Sequence, residues 1–176
     1  MLQQYVRNCF WLIVPVLLLN VLLTRKLPPI YQPEMFSRGL PGWISIGEHT
    51  FRAAVFLLPL LMPLDFASLI QRAAGLLYLA GLLLYAASWC AQIWVPASHW
   101  SLSRMGFMAP AYTPLAWLGG IGLVGNSFYF GLPFRPWIYP GLSGAFLVFH
   151  NLHAWLAYSR TTEEAKSVTM LSEHRR

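Results

Sequence analysis

From Ile44 to Asp65 the chain reads ISIGEHTFRAAVFLLPLLMPLD, an apolar run with Glu48, His49 and Arg52 set near its start. A bilayer core is crossed by about 20 apolar residues of helix. With no water there to satisfy backbone N–H and C=O groups, a run of this kind must form its hydrogen bonds within itself and so must be helical. A carboxylate, an imidazole and a guanidinium at i, i+1 and i+4 are costly at the rim of such a helix, and residues kept there have a partner or a task.

Four more apolar runs of similar kind lie at 10–23, 66–95, 111–130 and 138–158. Only 10% of the residues are charged, whereas a soluble domain carries about a quarter, so burial in lipid is the expectation. The sequence predicts an all-α, polytopic integral membrane protein: a bundle of about five transmembrane helices forming one domain over residues 1–160, followed by a polar tail over 161–176 that continues as a short helix and then frays. The first run is short, but it extends backwards through Tyr5 with Arg7 snorkelling to the interface. No small-x-small cleavage site follows it and Thr24-Arg25-Lys26 reads as a positive stop, so it is expected to stay as a mature helix.

Five spans place the termini on opposite sides. Arg7, Arg72 and Arg135 then fall on one side and the other nine of the twelve basic residues on the other. Cytoplasmic flanks carry the basic excess, which predicts a multi-pass protein of the cell membrane with its N-terminus outside and its C-terminus in the cytoplasm. The net charge of +6 is accordingly read as facing anionic lipid headgroups, with membrane lipids as partners and no nucleic acid. A second copy of the chain or another membrane protein is a further class of partner.

The connector over 24–43 holds Pro28, Pro29, Pro33 and Pro41, too much proline for a helix, yet Ile30, Tyr31, Met35 and Phe36 make it too apolar for a free linker. It is expected along the membrane surface, as is the second connector over 96–110, which could also be partly re-entrant. Between them the second and third runs should form an antiparallel hairpin, kinked at Pro59, with Asp65 and Ser68 at the N-cap of the third helix. Ala73, Ala74, Gly75, Ala80 and Gly81 on that helix, and Gly119 and Gly122 on the fourth, suit close backbone approach. Gly120, Gly122 and Gly125 also match the dinucleotide pattern GxGxxG. That fingerprint needs a preceding strand and an acidic residue about 20 positions later, so packing is the preferred reading.

Under this topology Asn20, Glu48, His49, Arg52, Gln92, His150, Asn151 and His153 all fall in the cytoplasmic half, while the outer half holds mainly Asn126, with Asp65 and Arg72 at its rim. At about 1.5 Å per residue, Glu48 and His153 lie about 6 and 8 Å from the cytoplasmic ends of their helices, so they can meet. The uneven depth disfavours a through-going channel and favours a pocket open to the cytoplasmic side, roofed by the two connectors. Within it Glu48, His49, His150 and His153 are the candidate acids and bases, and Arg52, Asn151, Asn20 and Gln92 the candidate ligand contacts, with Arg52 suited to an anionic headgroup, phosphate or carboxylate.

Each assignment has a plainer counterpart. Glu48 and Arg52 are spaced for an intrahelical ion pair. The histidines with Glu48 could ligate zinc or iron, and His49 facing His150 or His153 could bracket a haem, but no recognised metal signature is present. No metal is therefore assigned and the cofactor is left open. Ser98, Ser101 and Ser103 lie near His99 without a nucleophile-elbow pattern. Cys9 and Cys90 should sit at opposite faces, unpaired. The leading expectation is a protein that binds or transforms an amphiphile, lipid or isoprenoid-like, with its tail among the helices and its polar group at this cluster. The competing classes are a non-enzymatic membrane subunit and a small-solute transporter. An odd number of spans and the lack of an internal repeat do not fit the inverted-repeat plan of many transporters.

Overall fold

The computed structural model describes residues 6–173, so Tyr5 and positions 174–176 of the expected tail lie outside the described residues. The protein is all-α, with no strand among those residues and one isolated bridge between Asn8 and Pro63. Six helices of nine residues or more make the fold: α1 Val14–Thr24, α2 Gly42–Leu57, α3 Leu69–Trp94, α4 Arg104–Tyr112, α5 Pro114–Val124 and α6 Ile138–Glu173. Three helical stretches are long and apolar enough to cross a membrane, Gly42–Leu61, Leu69–Trp94 and Arg104–Val124, while Cys9–Thr24 is a shorter apolar helix.

Local chemistry sets the boundaries. Pro59 has no N–H to continue the α pattern, and the chain tightens into a 3-10 turn over Leu58–Leu61 instead of a simple kink. Ser68 caps α3 with a full capping box: its hydroxyl accepts from Gln71 N while the Gln71 side chain accepts from Ser68 N. Asp65 accepts from Ala67 N one turn earlier and is not the cap. Pro110 lies inside α4 and Pro114 opens α5, so the helical stretch Arg104–Val124 is broken near Thr113. The second connector is itself largely helical, with a turn at His99–Leu102 and residues 104–110 in α4. In turn residues 126–137, placed partly in the fourth run, form a loop with one 3-10 turn at Tyr129–Gly131.

Packing differs from the expected hairpin. Although α2 and α3 are consecutive, α3 runs along α5 and α2 runs along α6. Glycines explain the first pairing: a Cβ on Gly120 would lie 2.7 Å from the backbone nitrogen of Tyr78, and one on Gly81 would lie 2.8 Å from the carbonyl carbon of Ala116. The close approach thus uses Gly81 and Gly120, whereas Gly119 meets only the tip of Leu77. In the second pairing the Phe149 ring nests on Gly47 and stacks on Phe51 with centroids 5.6 Å apart. Ile13, Val16, Val55, Met62, Trp117, Leu118, Ile121 and Tyr139 fill the main core between the pairs.

The proline-rich connector folds into two single turns, Pro29–Tyr31 and Pro33–Phe36. Part of it enters the bundle. Tyr31 is buried, stacks on Phe107 with centroids 4.9 Å apart and donates its hydroxyl to the Phe107 carbonyl at 3.0 Å. Burial pushes the Tyr31 phenol well above its usual pKa, which keeps it a hydrogen-bond donor. At the other end, Gln71 ties α3 to α5 through a bond to the Val124 carbonyl, a buried polar group the depth count overlooked.

Candidate functional site

Glu48 is almost fully buried between α2 and α6, at 3% exposure. Its Oε1 accepts from Arg52 Nη2 and from His150 Nδ1 at 2.8 Å, and its Oε2 from His153 Nδ1 at 2.6 Å. An ionised carboxylate only accepts, so both histidines must present Nδ1–H to it. The His153 ring also places Nε2 3.3 Å from the Phe36 carbonyl, another group that only accepts. Arg160 Nη2 donates to the same Phe36 carbonyl at 2.7 Å. Glu48, His153, Phe36 and Arg160 thus form a continuous polar chain that fastens the connector to α6.

In front of this cluster lies a cavity of about 320 Å³ to which every long helix contributes. Val16, Asn20, Leu23 and Thr24 come from α1; Leu27, Tyr31 and Phe36 from the connector; Arg52 and Phe56 from α2; Tyr85 and Trp89 from α3. Phe107, Pro110 and Ala111 of α4, Pro114 and Trp117 of α5, and Phe146, His150 and Ala154 of α6 complete it. The walls are mostly aromatic and aliphatic, with Arg52 and His150 set among them. The Arg52 guanidinium lies 5.7 Å above the Phe146 ring, and His150 stacks on the same ring with centroids 5.2 Å apart. Tyr85 donates to Asn20 Oδ1 at 2.6 Å nearby. Two lining tryptophans, Trp89 and Trp117, have indole N–H groups without a hydrogen-bond partner among the described residues.

The expected site residues therefore separate into three groups. Arg52, His150 and Asn20 line the cavity. Glu48 and His153 do not; they stand behind Arg52 and His150, so their geometry is that of positioning residues. His49 is exposed and joins neither group, which follows from helical geometry: residues i and i+1 point about 100° apart, so Glu48 facing α6 turns His49 away. Gln92 and Asn151 serve as ties between helices, Gln92 to the Gly106 carbonyl at 2.7 Å and Asn151 to the Ala111 carbonyl at 3.2 Å. Sequence reasoning missed Tyr85, Trp89, Trp117 and Phe146 as lining residues, because aromatic residues on apolar helices carry no signal that separates a cavity wall from core.

No protein-family model, curated protein or solved structure matches the chain. What the site can do rests on its own geometry.

Among the described residues no group of three or more His, Cys, Asp or Glu side chains is arranged to hold a metal ion. His150 and His153 spend Nδ1 on Glu48, and with His49 turned outward no facing pair of histidines spans the cavity. The serines near His99 are absorbed by local structure: Ser98 caps the turn at His99–Leu102, Ser101 donates to the Ala91 carbonyl, and Ser103 caps α4. Cys9 and Cys90 are free thiols. What remains at the cavity is a guanidinium beside an imidazole whose Nδ1 is committed and whose Nε2 is available. This pair can bind a polar group and, through His150, exchange a proton with it.

Proposed function

We propose that this is a polytopic membrane protein that binds, and through His150 is equipped to transform, an amphiphilic small molecule of lipid or isoprenoid type. The amphiphile's tail would lie against the apolar walls and its polar group would meet Arg52 and His150. The observation that carries this reading is one cavity lined mainly by aliphatic and aromatic side chains, with the charged Arg52 set beside His150 in its wall. Ligand pockets are mostly apolar with a few convergent polar groups, and about 300–1,000 Å³ in volume.

In this reading the three long apolar stretches are joined in the bilayer by Cys9–Thr24 and by the first part of α6, giving about five spans. His150, Asn151 and His153 are polar interruptions of α6 that are compensated by Glu48 and by the Ala111 carbonyl. The basic excess then places the N-terminus outside, the C-terminus in the cytoplasm, and Arg52 with His150 on the cytoplasmic side of the cell membrane. Cysteine accessibility at residues 8 and 162 would check the orientation; labelling of both from one side would reject it.

Native mass spectrometry of the protein released from a gentle detergent tests the binding itself. A retained small molecule of amphiphilic mass is expected, and it should be lost when Leu23→Trp or Ala111→Leu fills the cavity in a protein that stays folded. A chain that carries no small molecule and binds none when amphiphiles are added would reject the reading and favour a subunit that serves only to dock other membrane proteins.

A further inference from the structure

We infer that the bound amphiphile is an anion with a single chain in the cavity, its carboxylate or phosphate held by Arg52. This rests on the cavity being an amphiphile site and adds the charge and the chain number. The first argument is charge placement. Among the described residues Arg52 is the only charged residue in the lining, and no carboxylate reaches the cavity. The carboxylate in contact with Arg52 is Glu48, whose other oxygen is taken by His153. Glu48 is not part of the lining, so the guanidinium meets no anion on the cavity side.

A guanidinium that faces apolar cavity walls with no anion on that side is a costly arrangement that an anion relieves. The donors for that anion are in place. Arg52 has five N–H groups and gives one bond to Glu48, with no other hydrogen bond among the described residues and a side chain still 38% exposed. The planar guanidinium suits two oxygens of one carboxylate or phosphate. It is also steadied by the Phe146 ring beneath it. Volume supplies the second argument: about 320 Å³ is at the low end for ligand pockets and leaves room for one chain, not two.

The test compares four probes on the purified native protein in nonionic detergent, by calorimetry or native mass spectrometry: oleate, 1-oleoyl-lysophosphatidate, oleyl alcohol and inorganic phosphate. Both anionic amphiphiles should bind at least about tenfold more tightly than the alcohol, the factor expected of a charge-assisted hydrogen bond, and inorganic phosphate should bind far more weakly. Arg52→Gln should bring the ratio of oleate to alcohol close to one. Equal binding of oleate and oleyl alcohol to the native protein would overturn the anionic inference and leave the amphiphile reading standing, whereas no binding of any chain-bearing probe would remove both. Inorganic phosphate binding as tightly as oleate, or dioleoyl-phosphatidate outcompeting its single-chain counterpart, would overturn the single-chain inference. Should Arg52→Gln fail to fold, the native ratio alone decides.

Discussion

Replacing Glu48 by leucine and by glutamine should give two well-separated losses of stability, and the gap between them tests the hydrogen-bond pattern at the centre of the bundle. Leucine preserves volume but removes both oxygens, leaving Arg52, His150 and His153 without their shared acceptor at a position only 3% exposed. Breaking one side of a buried ion pair costs about 3–5 kcal/mol, and that is the expected loss for Glu48→Leu. Glutamine is different. Its oxygen can still accept from Arg52 and His150, and its amide N–H can donate to His153 Nδ1, provided His153 takes the tautomer that donates from Nε2 to the Phe36 carbonyl. Every hydrogen bond survives and only the charge is lost, so about 1–2 kcal/mol is expected, the difference between charged and neutral hydrogen bonds. Reversible unfolding in mixed micelles with rising dodecyl sulfate, followed by tryptophan fluorescence, measures both. If glutamine proves as damaging as leucine, the two-sided role of His153 is wrong. If leucine costs less than about 1 kcal/mol, the cluster does not hold α2 to α6 at all. A double-mutant cycle of Glu48→Leu with His153→Leu should show a coupling of about 1–3 kcal/mol.

Gly120→Ala would drive a Cβ to 2.7 Å from the Tyr78 backbone, so α3 and α5 must separate; a loss of about 1–3 kcal/mol is expected in the same unfolding assay, and no loss would refute the close-approach account. Ser68→Ala removes one half of the capping box and should cost about 0.5–2 kcal/mol, with faster amide exchange confined to the first turn of α3; exchange that is unchanged there would show the cap to be idle. Burial raises the Tyr31 phenol above its ordinary value, and this has a defined sign. The folded protein keeps the proton when the unfolded chain begins to lose it, so stability is full below about pH 10 and falls as pH rises from there towards the raised folded value. Tyr31→Phe, which loses the bond to the Phe107 carbonyl, should be less stable near neutrality yet lose less between about pH 10 and pH 12. Parallel pH profiles for the two proteins would contradict this.

Much of the fold follows from one-dimensional information. Long apolar runs became helices, which satisfy the backbone hydrogen bonds within the run, and Ser68, Pro59 and Pro114 set ends and breaks through chemistry local to the chain. The spacing of Glu48 with Arg52 and of His150 with His153 placed each pair on one helix face, and similar depths made their meeting foreseeable. Helical periodicity alone would also have set His49 apart from Glu48.

Other features depend on which helix lies against which, and that is decided by surfaces tens of residues apart. Chain order suggests that α2 packs on α3; instead Gly81 and Gly120 let α3 approach α5, and Phe149 settles on Gly47 to bring α6 against α2. Only that pairing turns Glu48 inward to act behind the site and leaves Arg52 and His150 in front of it. Residue types and their depths in the bundle were set by the sequence, since hydration and backbone hydrogen bonding act residue by residue. Their division into cavity contacts, supports and ties was set by tertiary packing, because shape complementarity between distant faces selects the partner of each helix.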